Sequence, residues 1–297
     1  MTEIEKIIDL HLQELYSIRQ FSELTIDSYK IDLRQFSSFL KSINIDAPKD
    51  VSEKSLRMFL VHLSENNLSR ASISRKLSCI RSFINFAKKN NYLEKDPTLF
   101  IQNPKIKRKI PDVLPLDSYK EIIKFNFGNL KNEKILLLKA IFEILYGCAI
   151  RVAELCSLNL SDIDFDRNVI SVLGKGSKQR YVPIGEISVP IVKEYIKHRD
   201  FFKPNSIALF INNNGERVNS RWVQRVVKKY ISLVSDIKKK SPHVLRHSAA
   251  THMLDRGADL LTVKEILGHE NLSTTQIYTH VSIEHLKNSY KKAHPKS

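Results

Sequence analysis

The sequence predicts a mainly helical chain in two parts, with a small β-sheet in the second part. Three observations carry this. Apolar residues recur at helical spacing up to about residue 90. The stretch EKDPTLFIQNPKIKRKIPDVLPL, with Pro97, Pro104, Pro111 and Pro115, cannot continue as helix. Strand-like alternation appears beyond it, in DRNVISVLGKGSKQRYVPI. The expected division is therefore a helical domain over 1–95, a basic linker over 96–113 and a second domain over 114–297.

The elements follow in order. An amphipathic start with Leu10, Leu12, Leu15 and Ile18 is the first helix. Thr25 is expected to open a second, carrying Tyr29, Leu33, Phe36, Phe39 and Leu40. Ser52 and Ser69 are expected to begin the third and fourth. Beyond the linker, Asp117 is read as the cap of the helix in LPLDSYKEIIKF. KNEKILLLKAIFEILYGCAI reads as a long helix buried on most sides, and VISVL and RYVPI as two strands around a turn. ISVPIVKEYIKHRDFF reads as a helix, SIALFINNNGERVN as a short strand with a turn, and SRWVQRVVKKYISLVSDI as a basic helix. In SPHVLRHSAATHMLDRG, Pro242 suits a first helical turn with Ser241 as its cap.

Charge narrows the partner. Lys plus Arg is 48 against 32 Asp plus Glu, a net +16, which suits a polyanion and nucleic acid above all. From Asn66 to Leu93 there is no acidic residue, while Arg70, Arg75, Lys76 and Arg81 line the fourth helix. Its serines are small enough to let a helix approach a groove and donate to phosphates. Lys107 and Arg108 in the linker and Arg221 and Arg225 in the later basic helix complete the candidate DNA contacts. A solvated helix face explains each stretch alone. The N-terminus lacks the basic start and apolar core of a signal peptide, and no apolar run is long enough for a membrane. Cys79, Cys148 and Cys156 are too scattered for a disulfide framework and read as core thiols of a cytoplasmic protein.

Four segments of the second domain carry reactive side chains. In IRVAEL, Arg151 ends a hydrophobic helix and Glu154 follows; a buried Arg–Glu staple is the structural alternative. In LGKGSKQR, the glycines make a tight hairpin presenting Lys175, without the spacing of a nucleotide-binding loop. In PHVLRHSAATHM, His243 and Arg246 lie three apart, as if on one helix face. His243 and His247 have zinc-like spacing, but no glutamate follows the first histidine and no cysteine is near, so no metal is assigned. In LGHENLSTTQIYTH, Gly268 ends a helix, His269 follows, Ser273 is read as the cap of a further short helix, and Tyr278 sits among polar neighbours.

In this order, Arg151, Lys175, His243, Arg246, His269 and Tyr278 resemble the tyrosine recombinases, most closely the bacterial Xer-type site-specific recombinases. The resemblance covers nearly the whole chain. It implies a SAM-like helical DNA-binding domain followed by a catalytic domain, the two forming a C-shaped clamp around double-stranded DNA. It implies cutting and rejoining through a 3′-phosphotyrosyl intermediate, without metal, ATP or other cofactor, and a role in resolving chromosome dimers. Tyr278 would be the nucleophile. Arg151 and Arg246, as fixed cations, suit the charge that develops on the phosphate oxygens. His243 suits proton exchange with the phenol, and Lys175, by family analogy, protonates the leaving hydroxyl. The implied assembly is a homo-tetramer, or a hetero-tetramer with a paralogous recombinase, with the C-terminal tail docked on a neighbour and a septal DNA translocase as a further partner. The alternatives are a mobile-element integrase, a tyrosine topoisomerase, a metal-dependent nuclease and a non-catalytic helix–turn–helix regulator.

Overall fold

The computed structural model describes residues 1–105, 112–125, 130–174, 179–268 and 290–295. The chain divides into two compact units, Met1–Lys109 and Ile110–Ser297.

The first unit is built from four helices, α1 (Glu3–Ser17), α2 (Glu23–Ser42), α3 (Glu53–Glu65) and α4 (Arg70–Lys89). Their starts are written locally. Thr2 and Glu5 form a reciprocal capping box, Ser52 and Ser55 another, and Ser69 accepts the Ser72 N–H. α2 begins two residues before the expected Thr25, with Ser22 at the cap position and its hydroxyl 2.9 Å from that of Thr25. Leu33, Phe36, Leu40, Phe59, Leu77, Ile80 and Phe83 are fully buried, each removed from water at roughly 1.5–3 kcal/mol. Ile101, inside the segment read as linker, is also buried in this core.

The second unit starts with α5 (Leu116–Lys124) and α6 (Asn132–Gly147), continues through the short α7 (Val152–Ser157), and then forms a sheet of β1 (Ile163–Asp164), β2 (Val169–Leu173) and β3 (Gln179–Pro183). The order is β1–β2–β3, antiparallel throughout, with Val172 opposite Arg180. After it come α8 (Ser188–Lys197), α9 (Ser220–Val234), α10 (Pro242–Asp255) and α11 (Leu260–Leu267). α6 is buried along most of its length, as its unbroken apolar run requires, and Tyr146 stacks on Tyr119 with ring centroids 3.8 Å apart.

Several local expectations change. Asp117 is not the cap of α5; Pro115 holds that position and Asp117 pairs with Lys120 inside the first turn. Ser241 occupies the cap position of α10, but its side chain makes no capping bond. The strand expected in SIALFINNN is two isolated bridges, Asn159 with Ala208 and Ile211 with Arg217. β1 has two residues, too few to show a period. α8 stops at Lys197 and gives way to a 3₁₀ turn, Arg199–Phe202. The expected cap Ser273 lies outside the described residues. The described part of the tail sits on its own unit: Tyr290 donates to the Gly147 carbonyl at 2.8 Å and stacks on His294, and both are buried.

Candidate functional site

Three elements of the second unit bring guanidinium groups to one carboxylate. Glu154, in the first turn of α7, is 5% exposed. It accepts the Arg151 backbone N–H at 2.7 Å and the Arg151 Nη1 at 2.8 Å. Arg180, from β3, holds both oxygens of Glu154 in a fork, 2.9 Å each. Arg246, from α10, approaches Glu154 Oε2 only to 3.7 Å.

The same arginines close on the end of α11. Arg180 Nε donates to the Ile266 carbonyl at 3.2 Å, Arg246 Nη2 to that of Leu267, and Arg151 Nη2 to that of Gly268 at 3.0 Å. The last carbonyls of a helix lack intrahelical donors and carry the negative end of its dipole. Cations are thus placed where the helix needs them. Gly268 supplies the left-handed turn, with φ 61°, that ends α11. A Cβ there would also lie 3.0 Å from the Arg180 guanidinium.

Charge settles what this cluster can do. Burial alone raises the Glu154 carboxyl, but the hydrogen bonds and charge of Arg180 and Arg151 outweigh it and bring it down to about 2. Glu154 is therefore anionic. Arg246 is 6% exposed, and burial together with the charges of Arg151 and Arg180 pushes its guanidinium down to about 10. Its Nη1 is buried and has no hydrogen-bond partner among the described residues. A buried, unpaired N–H of a cation is costly. An oxyanion arriving there would satisfy it.

Arg151 and Arg246, expected from sequence, are brought together. His243 and Arg246 both lie in α10, three residues apart, with His243 exposed at its start and Arg246 interior one turn on. Lys175, His269 and Tyr278 lie outside the described residues, as do Lys107 and Arg108. Arg180 is the residue that reading the sequence missed. The signal was available: Arg180 is two residues before buried Val182, hence on the inner side of β3, where an arginine requires an anion.

The DNA-contact candidates separate. Lys76 is 6% exposed and its ammonium bonds Asp32 at 2.7 Å, so it is an interior residue of the first unit and not a surface contact. Arg75 is exposed but also grips Asp32. Arg81 donates to Asn103 and to the Ile101 carbonyl, fastening the chain after α4. Arg70 is exposed and reaches only the Lys105 carbonyl, at 3.4 Å. Of the α4 serines, Ser78 donates to the Ser74 carbonyl, and the hydroxyls of Ser69 and Ser72 pair with each other. Arg221 and Arg225 are exposed on α9 and have no ion pair among the described residues.

The described residues thus form a helical unit followed by a mixed unit in which three arginines surround one buried carboxylate. Residues 113–285 match the phage integrase family, and residues 8–91 match the N-terminal SAM-like domain of phage integrases. The tyrosine recombinase XerC of Corynebacterium glutamicum is 37% identical over 296 residues, covering 100% of this chain and 94% of that protein. XerC of Bacillus subtilis is 33% identical over 303 residues, covering 100% and 99%. Among solved structures, the XerH site-specific recombinase bound to its difH substrate matches with a TM-score of 0.69 at 23% identity, covering 97% of this chain and 89% of that one. A lambda integrase dimer bound to a core site matches at 0.70 and 18%, covering 95% and 100%. The chain belongs to the phage integrase family and is a tyrosine recombinase.

Proposed function

We propose that this recombinase breaks and rejoins double-stranded DNA by attack of the Tyr278 hydroxyl on a phosphodiester, giving a 3′-phosphotyrosyl ester and a free 5′-hydroxyl. The bond energy is kept in the ester, so a second 5′-hydroxyl can reverse the step, and neither metal nor ATP is needed. The observation that carries the reading is the buried Arg246 Nη1, without a hydrogen-bond partner among the described residues, beside a carboxylate shared by three arginines. One non-bridging oxygen of a phosphodiester satisfies it, and Arg151 lies next to the same carboxylate. Fixed cations of this kind stabilise the transition state without reorganisation.

The remaining roles are assigned by chain position and chemistry. His243, exposed at the start of α10, exchanges the phenol proton. Lys175, between the sequences of β2 and β3, protonates the leaving oxygen. His269, directly after Gly268, joins the arginines on the phosphate. The buried tyrosines of this unit are poor nucleophiles. Tyr119, Tyr146, Tyr195 and Tyr290 are packed in the core, and burial raises each hydroxyl above its ordinary value.

Whole-chain identity to XerC proteins supports chromosome-dimer resolution in the cytoplasm as the biological role, ahead of mobile-element integration. The assembly would be a tetramer on two duplexes, homomeric or shared with a paralogous recombinase and activated by a DNA translocase. For the tail to join neighbours, Tyr290 and His294 must leave the seat they occupy on their own unit. Arg70, Arg75, Arg221 and Arg225 are the described residues proposed to meet the DNA backbone.

A nicked suicide duplex carrying the recombination site tests the chemistry, mixed with protein in EDTA and without ATP. A covalent adduct is expected, and Tyr278→Phe abolishes it. An adduct that survives that substitution, or that forms only with a divalent metal, overturns the assignment. Deletion of the gene in its host tests the role: unresolved chromosome dimers should accumulate.

A further inference from the structure

We infer that Arg180 is a positioning residue for strand cleavage: by occupying both oxygens of Glu154, it keeps that carboxylate from closing on Arg246 and leaves Arg246 Nη1 open to the phosphate. The inference rests on the phosphate-clamp reading above.

The geometry is specific. Glu154 has two oxygens, and Arg180 takes both at 2.9 Å, Nη1 on Oε1 and Nη2 on Oε2. Arg151 shares Oε1 at 2.8 Å. Arg246, almost as buried as Glu154, stays 3.7 Å from Oε2. Without a competitor, a carboxylate and a guanidinium this close inside a protein would form a direct bond. Arg246 would then face Glu154 with the N–H that the phosphate needs. Arg180 is itself held from the other side. Its Nε bonds the Ile266 carbonyl, and its guanidinium lies 3.0 Å from where a Cβ on Gly268 would be. The β3 strand fixes its backbone opposite Val172. The fork is thus fastened at the strand, the helix end and the carboxylate. Lysine has one point charge and cannot span both carboxylate oxygens in this way.

Single-turnover cleavage of the suicide duplex tests this with two scissile linkages, the ordinary phosphodiester and a neutral methylphosphonate. On the ordinary ester, Arg180→Gln should slow cleavage about 10²-fold, the scale of a misplaced catalytic group, with little change in the protein concentration giving half-maximal rate. Arg180→Lys should fall between Arg180→Gln and the parent, and its melting curve shows that the chain is folded. On the neutral linkage there is no charged oxygen to clamp, so the Arg180→Gln deficit should shrink, as should that of Arg246→Ala. Removing the charge of the competitor should also help: Glu154→Gln combined with Arg180→Gln should cleave faster than Arg180→Gln alone. If Arg180→Gln is equally impaired on both linkages while Arg246→Ala is relieved, or if the double variant is slower, the inference fails and the clamp stands. If Arg246→Ala gains nothing on the neutral linkage, the clamp reading fails, and the inference with it.

Discussion

Asp32 in the first unit and Glu154 in the second are both carboxylates almost wholly removed from solvent, and each is gripped by more than one cation. They differ in what remains. Around Asp32, the Lys76 ammonium is buried and bonded, so the interior pair is closed and Arg75 extends to the surface. Around Glu154, the arginines outnumber the charge available, and among the described residues one buried N–H of Arg246 has no hydrogen-bond acceptor. The first cluster is stabilising architecture. The second is the proposed site, because among the described residues its electrostatics leave one buried N–H for something else to meet.

The comparison can be broken at four points, from the largest effect to the smallest. Asp32→Ala strands the Lys76 ammonium in the core, and breaking a buried pair in this way is expected to destabilise the protein by about 3–5 kcal/mol. Urea unfolding measures it, and adding Lys76→Met should recover most of the loss. Arg246→Ala should leave unfolding less affected but slow cleavage by roughly 10²–10³, or about 3–4 kcal/mol in the barrier. The amount of covalent adduct against time on the nicked duplex decides this.

The third point is acid. The Glu154 carboxyl is held at about 2 against an ordinary 4.5. Its contribution is therefore present above about pH 4.5 and is lost as pH falls from there through about 2, a change of about 3 kcal/mol. Denaturation curves of the parent and Glu154→Gln should converge over that window and not above it. The smallest effect concerns the surface. Arg221→Ala should reduce the salt dependence of DNA binding by about one counterion, whereas Lys76→Gln should leave that slope unchanged because Lys76 does not face a phosphate.

Much of the fold was legible because its signals are local. Ser52 and Ser69 begin helices with their side-chain caps, Gly268 ends one with its left-handed backbone, and the VISVL and RYVPI alternation gave β2 and β3. The order of Arg151, Lys175, His243, Arg246, His269 and Tyr278 carried the family. What sequence could not give was partnership across the fold. Lys76 and Arg81 look like their neighbours on a basic helix, and only packing shows that one bonds Asp32 and the other the chain after α4. Arg180 has the alternation of an inward strand residue, which signals that it needs an anion, but only the fold shows that Glu154 is that anion. Asp117, a sound cap candidate, and Thr25, the expected start of the second helix, are overruled by Pro115 and Ser22 nearby.

The excess of guanidinium over carboxylate around Glu154 also governs handling at the bench. A small tetrahedral oxyanion, sulfate or inorganic phosphate, is expected to compete for Arg246. By mass action, storage in such salts should raise the melting temperature with the logarithm of one plus the ratio of oxyanion concentration to Kd and slow the enzyme by that factor itself, so the buffer that best preserves the protein is the wrong one in which to assay it.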